Sequence, residues 1–349
     1  MKSSDFLSGK RRPSAGDVAR LAGVGRATVD RVLKRRPGVK PATLQRVIEA
    51  AATLDYLPSQ ELFELLRPKP MRLAFLLPSG TNRYLRMLGE HISSAAERWE
   101  PFNATCRCHY VEGFKPEALA SALRHHGERA DGVAFMALEH PLVRDAVAEI
   151  AQKVPVVTLI SDVSAAQRIA YVGLDNRAAG RTAGLLIGRF VGERAGKVAL
   201  IAGSRSYRAH EEREMGFLAI VEEQFPRLSV VGLREGHDEA QQNYDQARRL
   251  LAKHQDIVAI YNIGGGADGI GRALREANRA HSVTFIGHGL TPDTRAMLVD
   301  GTMDAAITQD HQAMVLDCVR IFTNVRDGRE PLTGVTPTQI SLFVRENLP

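Results

Sequence analysis

The chain has 349 residues, of which 44% are hydrophobic and 25% are charged, and it carries three cysteines. This length exceeds one ordinary domain and fits two or three, while no apolar run approaches the ~20 residues that span a bilayer. The first twelve residues hold four basic side chains and no apolar signal-peptide core, and three cysteines make no disulfide framework. A cytoplasmic protein without a membrane partner is therefore expected.

The net charge of +6 is unevenly distributed along the chain. Residues 1–70 hold 14 Lys/Arg and 7 Asp/Glu, a net charge of +7, so the remainder of the chain nets −1. A basic module attached to a nearly neutral body indicates that a polyanion binds the module alone. A solvated charged tail is the alternative. Residues 1–12 are predicted to form a disordered basic arm that contacts phosphates.

Two short helices joined by a tight turn are predicted between Ser14 and Arg31. Ser14 is placed to cap the first helix, with Asp17 as the acid of a capping box. Gly23 ends this helix, and an apolar helical rhythm resumes a few residues later. A helix-turn-helix arrangement follows, in which the second helix lies in the DNA major groove.

A third helix is predicted to start at Pro41, because proline favours the first helical position. Its apolar stripe at helical spacing is Leu44, Val47, Ile48, Ala51 and Leu54. Three helices within about 45 residues can enclose a small core of their own. The predicted DNA-binding domain covers residues 13–58.

The module contains, in this order, the short motifs Asp17-Val18-Ala19, Ala22-Gly23-Val24, Thr28-Val29, Arg31-Val32-Leu33, Gly38-Val39 and Tyr56-Leu57-Pro58. In the order and spacing of these motifs it resembles the lactose-repressor (LacI) family of bacterial regulators. The resemblance implies that Arg26, Ala27 and Arg31 face bases and that Thr28 lies near the DNA backbone. Arginine suits a guanine edge, and alanine suits a thymine methyl group.

Two positions of the second helix depart from the family pattern, because Gly25 and Asp30 stand where serine is frequent. Asp30 is expected either to read a cytosine amino group or to pair with a nearby arginine. A surface salt bridge is the alternative role for Arg31.

Residues 59–70 are predicted to form a hinge helix and a linker. In the resembled family this helix orders on DNA, and a leucine from each subunit enters the central minor groove, a position that Leu65 occupies here. Packing between subunits is the alternative role of the apolar residues in this segment, which are Leu62, Phe63, Leu65 and Leu66.

After Pro70 the pattern changes to apolar strands that alternate with amphipathic helices. Strands are predicted at Met71–Leu77 and near 104–111, 131–137, 155–160, 169–173, 196–202, 228–233, 257–263, 282–287 and 303–308. Helices are predicted at Arg83–Trp99 and near 177–194, 207–225, 238–255, 265–280 and 291–301. This alternation predicts two doubly wound α/β lobes with parallel sheets. Ligands bind at the carboxyl ends of such strands, here between the lobes.

The second part resembles the family's effector domain and the ribose-type periplasmic sugar-binding proteins. The closest local matches are Tyr171-Val-Gly-Leu-Asp-Asn176, Arg213-Glu-Met-Gly-Phe217 and Gly301-Thr-Met-Asp-Ala-Ala306. The resemblance implies an effector-binding and dimerisation domain over 71–349. One lobe would comprise 71–174 and 310–333, and the other 175–309 and 334–349. The chain would cross between them near Leu174, Gln309 and Thr333.

Planar polar side chains and an aromatic face are what a sugar requires of its site. The candidates at predicted strand ends are Asn82, Tyr84, Asp162, Arg213, Asn262, His288 and Gln309, with Arg213 matching the family's cleft arginine. Gly289 stands where ribose-type binders have an aspartate, so His288 supplies the missing contact or a bulkier or anionic ligand uses the space. For each candidate the alternative is a strand-end residue that bonds nearby backbone.

Other motifs predict no further chemistry. The glycines from Gly264 to Gly269 lack the residues of a phosphate-binding loop and indicate a turn before a helix. Cys106 and Cys108 share one face of a strand without further zinc ligands. His125 and His126 are expected to be solvated on a surface helix. No nucleophile stands with a base at motif spacing, and neither a cofactor nor a metal is expected.

The sequence therefore predicts an N-terminal all-α helix-turn-helix domain followed by a two-lobed α/β effector domain. We expect a cytoplasmic homodimeric transcription regulator, most simply a repressor, that binds a palindromic operator. Its effector is expected to be a sugar or polyol. The alternatives are a solute-binding protein for sugar uptake and an enzyme on a doubly wound scaffold.

Overall fold

The computed structural model describes residues 13–34, 36, 38–57, 69–94, 96–164 and 167–349. The chain divides into two compact units, Met1–Pro70 and Met71–Pro349. The expected basic arm over 1–12 and the expected hinge helix over 59–67, with Leu65, lie outside the described residues. No helix in the described part of the chain is both long and apolar enough to cross a bilayer.

The first unit contains three helices, α1 (Ala15–Ala22), α2 (Arg26–Leu33) and α3 (Pro41–Thr53). The predicted capping box is confirmed, because the Ser14 hydroxyl accepts from the Asp17 amide and the Asp17 carboxylate accepts from the Ser14 amide at 2.9 Å. Gly23 ends α1 with a φ of 64°, a left-handed conformation that glycine adopts without strain. The three helices enclose a core that includes Val18, Val29 and Val47, each with no exposed surface.

The first lobe of the second unit is built on a five-stranded parallel sheet in the order β2-β1-β3-β4-β5. Its elements in the described residues are β1 (Met71–Pro78), α4 (Arg83–Ser94), a 3-10 helix (Ala96–Phe102), β2 (Ala104–Val111), α5 (Pro116–Gly127), β3 (Gly132–Phe135), α6 (Pro141–Ile150), β4 (Val156–Leu159) and β5 (Ala170–Val172). Strands β3 and β4 are buried along their whole length, as expected for a sheet covered on both faces.

The second lobe repeats this plan with a six-stranded sheet in the order β11-β10-β9-β8-β6-β7. Its elements in the described residues are α7 (Asn176–Val191), β6 (Gly196–Ala202), α8 (Arg208–Gln224), β7 (Leu228–Glu235), α9 (Ala240–Lys253), β8 (Ile257–Asn262), α10 (Ala267–Glu276), β9 (Thr284–His288), α11 (Pro292–Asp300), β10 (Ala305–Thr308) and β11 (Ser341–Phe343). Only β11 runs antiparallel to its neighbour among the described strands. The predicted doubly wound α/β architecture is confirmed in both lobes.

The chain passes between the lobes three times. It leaves the first sheet after β5, returns after β10 to form α12 (His311–Arg326), and crosses again before β11. Helix α12 packs Met314, Val319 and Phe322 into the core of the first lobe. Two of the crossings are tied to each other, because the Leu174 amide donates to the side-chain oxygen of Gln309 at 3.1 Å.

The predicted helix over Arg83–Trp99 is too long. Helix α4 ends at Ser94, and a 3-10 helix from Ala96 to Phe102 follows it. Pro101 lies inside this second element and has no amide hydrogen to give to a regular α-helix. Trp99 folds back against α4, where its indole nitrogen donates to the Ile92 carbonyl at 3.4 Å.

Candidate functional site

Helix α2 presents one polar face and one apolar face. Arg26, Ala27 and Arg31 are exposed and Thr28 is half-buried. Val29 points into the small core with no exposed surface. The four residues predicted to approach DNA therefore lie on the part of α2 that the three-helix core leaves accessible.

The charges around α2 bear on the roles left open for Arg31 and Asp30. Within the described residues no carboxylate lies within 4 Å of Arg31, so Arg31 forms no surface salt bridge with them. Asp30 pairs with Lys34 at 2.8 Å and approaches Arg36 at 3.9 Å. The hydrogen bond from Lys34 lowers the pKa of Asp30, so its negative charge is balanced within the module.

A cavity of about 340 Å³ lies between the lobes of the second unit. It sits at the carboxyl ends of strands from both sheets, where doubly wound folds bind ligands. Loops after β1, β3 and β4 face loops after β7, β8, β9 and β10 across it. The polar residues that line it include Asn82, Tyr84, His210, Arg213, Asp238, His288, Thr308 and Gln309.

Arg213 reaches the cavity from α8 and is only 6% exposed. Its Nε donates to the Asn176 side-chain oxygen and its Nη1 donates to the Ile263 carbonyl, both at 2.8 Å. Asn176 is itself held by Tyr171, whose hydroxyl accepts from the Asn176 amide group at 3.0 Å. The two local motifs at 171–176 and 213–217 thus meet in one hydrogen-bonded chain.

Close packing of α7 against α8 sets the position of Arg213. A Cβ atom at Gly180 would lie 2.0 Å from the Arg213 carbonyl oxygen, and one at Gly216 would lie 2.1 Å from the Arg177 carbonyl oxygen. Only glycine permits backbones to approach this closely. The glycines of both helices therefore bring the Arg213 backbone to the edge of the cleft.

Asp238 joins the two lobes across the cleft. One carboxylate oxygen accepts from the Gly265 amide at 2.6 Å, and the other accepts from the Asn82 side-chain amide of the first lobe at 3.0 Å. The Thr81 hydroxyl of the first lobe donates to the Asp238 carbonyl at 3.2 Å. Charge-assisted bonds of this kind are stronger than neutral ones, so Asp238 stabilises the arrangement of the lobes seen here.

Tyr84 and Gln309 form a second contact near the crossings. The Tyr84 hydroxyl donates to the Gln309 carbonyl at 3.2 Å. Burial raises the pKa of Tyr84, which keeps the hydroxyl protonated as a donor. Gln309 is 6% exposed and uses its side-chain oxygen on Leu174.

Two histidines in the cavity wall are held neutral. Burial lowers the pKa of His210 to about 4, and its Nδ1 lies 3.0 Å from the Ser204 carbonyl. Burial lowers the pKa of His288 well below its usual value, and its Nε2 lies 2.8 Å from the Tyr261 hydroxyl. Both rings can exchange hydrogen bonds with a ligand without adding charge.

Two predicted residues do not line the cavity. The Asp162 carboxylate pairs with Arg168 at 2.5 Å and accepts from the Thr158 hydroxyl at 2.6 Å. Asn262 is completely buried, and its amide donates to the Gly264 and Gly265 carbonyls at 3.0 and 3.1 Å. Asp162 therefore bonds its own neighbours, as the alternative for a strand-end residue expects, whereas Asn262 keeps a buried side-chain oxygen without a partner among the described residues.

The glycine run forms the predicted turn before α10, and it also lines the cavity. Gly266 has a φ of 67°, and a Cβ atom at Gly264 would lie 2.4 Å from an Asp238 carboxylate oxygen. Asn243 donates to the Gly265 and Gly266 carbonyls at 2.8 and 3.0 Å. The turn is therefore packed tightly beneath Asp238.

Asp238, His210 and Ile160 are cavity residues that the sequence reasoning missed. Asp238 and Ile160 have φ values of 58° and 63°, a region that is a true outlier for a β-branched residue such as isoleucine. No periodic pattern marks such loop residues. Helical spacing could have identified only His210 of these three. It lies on α8 three residues before Arg213, so the two side chains share one face of the helix.

The expectation for the histidine pair on α5 is wrong in one respect. His125 is exposed, but His126 is half-buried, with its ring centroid 4.0 Å from that of His109 on β2. Burial raises the pKa of the β2 thiols, to about 12 for Cys106 and about 11 for Cys108, so both are protonated. Among the described residues no group of three or more His, Cys, Asp or Glu is arranged to hold a metal ion.

Comparison with known families matches both units. Residues 16–59 match the family "bacterial regulatory proteins, lacI family", and residues 73–330 match the periplasmic binding protein domain. The chain belongs to the lacI family of bacterial regulatory proteins. This lacI-family chain is accordingly a DNA-binding transcriptional regulator, with the helix pair α1–α2 in the DNA-binding module.

Relatives of this regulator resemble it over different lengths. The HTH-type transcriptional regulator CelR of Thermobifida fusca is 24% identical over 97% of this chain and 99% of that protein. The sucrose operon repressor of Escherichia coli is 46% identical over 65 residues, which are 18% of this chain and 20% of that protein. The crystal structure of GanP, a glucose-galactose binding protein from Geobacillus stearothermophilus, superposes with a TM-score of 0.72 at 25% identity over 81% of this chain and 100% of that one.

Proposed function

We propose that this regulator is a cytoplasmic homodimeric repressor whose affinity for a palindromic operator is controlled by a small carbohydrate bound between its lobes. One observation carries the proposal. A cavity at the strand ends of two lobes, containing a buried arginine and neutral planar donors, occurs in the same chain as a DNA-binding helix pair. The protein acts by binding and not by catalysis.

Operator recognition is assigned to the exposed face of α2. Arg26 and Arg31 each offer the paired donors that read guanine, and Ala27 offers a small apolar contact. Thr28 lies beside them for the backbone. One short helix covers few base pairs, so two-fold symmetry in the protein and in the operator supply the rest of the specificity. Leu65 is proposed for the central minor groove.

Effector control follows from the contacts that join the lobes. Asn82 binds Asp238 and Tyr84 binds Gln309 across the cleft, so a ligand that touches these residues interacts differently with open and closed lobes. A ligand can shift the equilibrium only by this difference in affinity. Carbohydrate is the proposed class for two reasons. The sucrose operon repressor and the glucose-galactose binding protein GanP are named for sugars, and the cavity wall is rich in planar hydrogen-bonding groups.

The experiment measures operator binding and effector binding in the same variants. Arg31→Ala should cost about 1–3 kcal/mol of operator affinity and relax specificity at one base pair, while effector binding persists. Arg46→Ala, which removes the same charge from the exposed face of α3, is the matched control and should leave specificity unchanged. Loss of effector binding in Arg31→Ala would contradict the assignment of the two tasks to separate units.

A further inference from the structure

The cavity contains a buried positive charge that no described carboxylate contacts, while Asp238 attracts it from a longer distance. Arg213 is 6% exposed, and the described residues give its guanidinium two partners, the neutral oxygens of Asn176 and Ile263. In the described part of the chain no Asp or Glu oxygen lies within 4 Å of it. Arginine stays protonated in proteins, and buried charges are normally paired.

The buried carboxylate of the cavity is already engaged, whereas Arg86 and Asp268 at its rim are exposed to solvent. Both carboxylate oxygens of Asp238 accept hydrogen bonds, from Gly265 and from Asn82. Arg83 at the cavity edge forms an ion pair with Asp293 at 2.8 Å. Since burial keeps the two cavity histidines neutral, Arg213 is the cation of the interior that is left for a ligand.

Gly289 leaves room for the ligand beside this cation. It lines the cavity with a φ of 83°, and a Cβ atom built on it would lie 3.5 Å from the Tyr84 side chain, an ordinary contact distance. The positive φ is a backbone conformation that residues with a side chain rarely adopt, so glycine suits this position. Glycine therefore keeps this part of the wall open and uncharged.

We infer that the effector is a sugar acid, a polyhydroxylated monocarboxylate whose carboxylate receives paired hydrogen bonds from Arg213. A planar guanidinium matches a carboxylate in this way. A phosphate dianion would place a second negative charge near Asp238, which disfavours it. The remaining wall offers Asn82, Thr308 and neutral His288 for hydroxyl groups, and the cavity volume of about 340 Å³ suits a single sugar unit.

This inference rests on the proposed function, because it names the ligand class of the same cleft. The test uses the full chain with matched pairs of probes: gluconate with glucose, galacturonate with galactose, and glucose 6-phosphate as the phosphate arm. Calorimetry and thermal unfolding report binding. We expect at least one acid to bind and to raise the unfolding temperature by a few degrees at saturation, and its neutral partner to bind more weakly by about tenfold or more.

Two variants at position 289 separate charge from size. Gly289→Asp places a carboxylate in the cavity and should weaken acid binding by about tenfold or more, because like charges repel. Gly289→Asn has nearly the same shape without the charge and should weaken it by less than about threefold. Equal losses in both variants would overturn the inference, since size and not charge would then govern binding.

The failure of this inference differs from failure of the proposed function. Binding of neutral sugars in preference to their acids would overturn the sugar-acid assignment and leave carbohydrate control in place. If glucose 6-phosphate alone binds, or if neither sugar acid binds, the assignment of a carboxylate ligand is overturned. The proposed function itself fails only where a cleft ligand binds without any change in operator affinity.

Discussion

Replacing Arg213 by methionine separates a structural role from a ligand-binding role. Methionine keeps most of the length of the side chain and removes the charge. Two charge-assisted hydrogen bonds, each worth about 1.5–3 kcal/mol, are lost, and the oxygens of Asn176 and Ile263 lose their donor. In return, the protein no longer bears the desolvation penalty of a buried ion, which is several kcal/mol.

These opposing effects nearly cancel. We therefore expect the free energy of unfolding of Arg213→Met to lie within about 2 kcal/mol of that of the unmodified chain. Effector binding should nevertheless be lost, because the buried cation that lines the cavity is gone. Urea unfolding gives the stability, and calorimetry with a ligand identified by thermal unfolding gives the binding.

Arg279→Met is the matched control for this experiment. Arg279 also donates to a backbone carbonyl, that of Ile257 at 2.7 Å, but it does not line the cavity. This variant should keep effector binding. A decrease of more than about 4 kcal/mol in the free energy of unfolding of Arg213→Met would show that the arginine is needed for folding stability, as when one partner of a buried pair is removed. That result would refute the reasoning. Retained effector binding would remove Arg213 from the site.

Two further predictions concern stability in the second unit. Gly180→Ala should lower the free energy of unfolding by about 1–3 kcal/mol, because the added Cβ would collide with the rigid Arg213 carbonyl. Gly271→Ala should lower it by less, because the nearest atom to its Cβ is the sulfur of the flexible Met297 side chain. Urea unfolding compares the two variants, and equal losses would contradict the packing argument. Burial and neighbouring histidines lower the pKa of His126 to about 4, below the usual 6.5, so the unfolded chain binds the proton more readily. The free energy of unfolding should therefore fall as the pH drops from about 6.5 towards 4. Thermal unfolding should show a smaller fall in the His126→Gln variant. A fall identical to that of the unmodified chain would show that this histidine does not contribute.

Much of the fold could be predicted because its elements follow local rules. Strand β6 lies at the predicted residues 196–202, since a short and mostly apolar run between helical patterns has few other solutions. The capping box at Ser14 and the turn before α10 depend on neighbours in sequence and were predicted correctly. Helix α4 ended early because Trp99 packs back onto it, a tertiary effect that periodicity does not contain.

The cavity was harder to predict than the fold. Position at a strand end placed Asn82, His288 and Gln309 on its wall, but it also selected Asp162 and Asn262, whose side chains turn to Arg168 and to the glycine turn. Which way such a side chain points depends on its competing partners, and a single sequence does not reveal them. Asp238 was missed for the same reason, since its bond to Asn82 joins residues of different lobes that lie 156 positions apart in the sequence.

Thermodynamic linkage tests the central claim most directly. The ligand's dissociation constant is measured on the full chain with and without saturating operator DNA, and the operator's dissociation constant is measured with and without ligand. If the cleft controls the DNA-binding module, both constants change, and they change by the same factor. A ligand affinity that is identical in the presence and absence of operator would contradict the account.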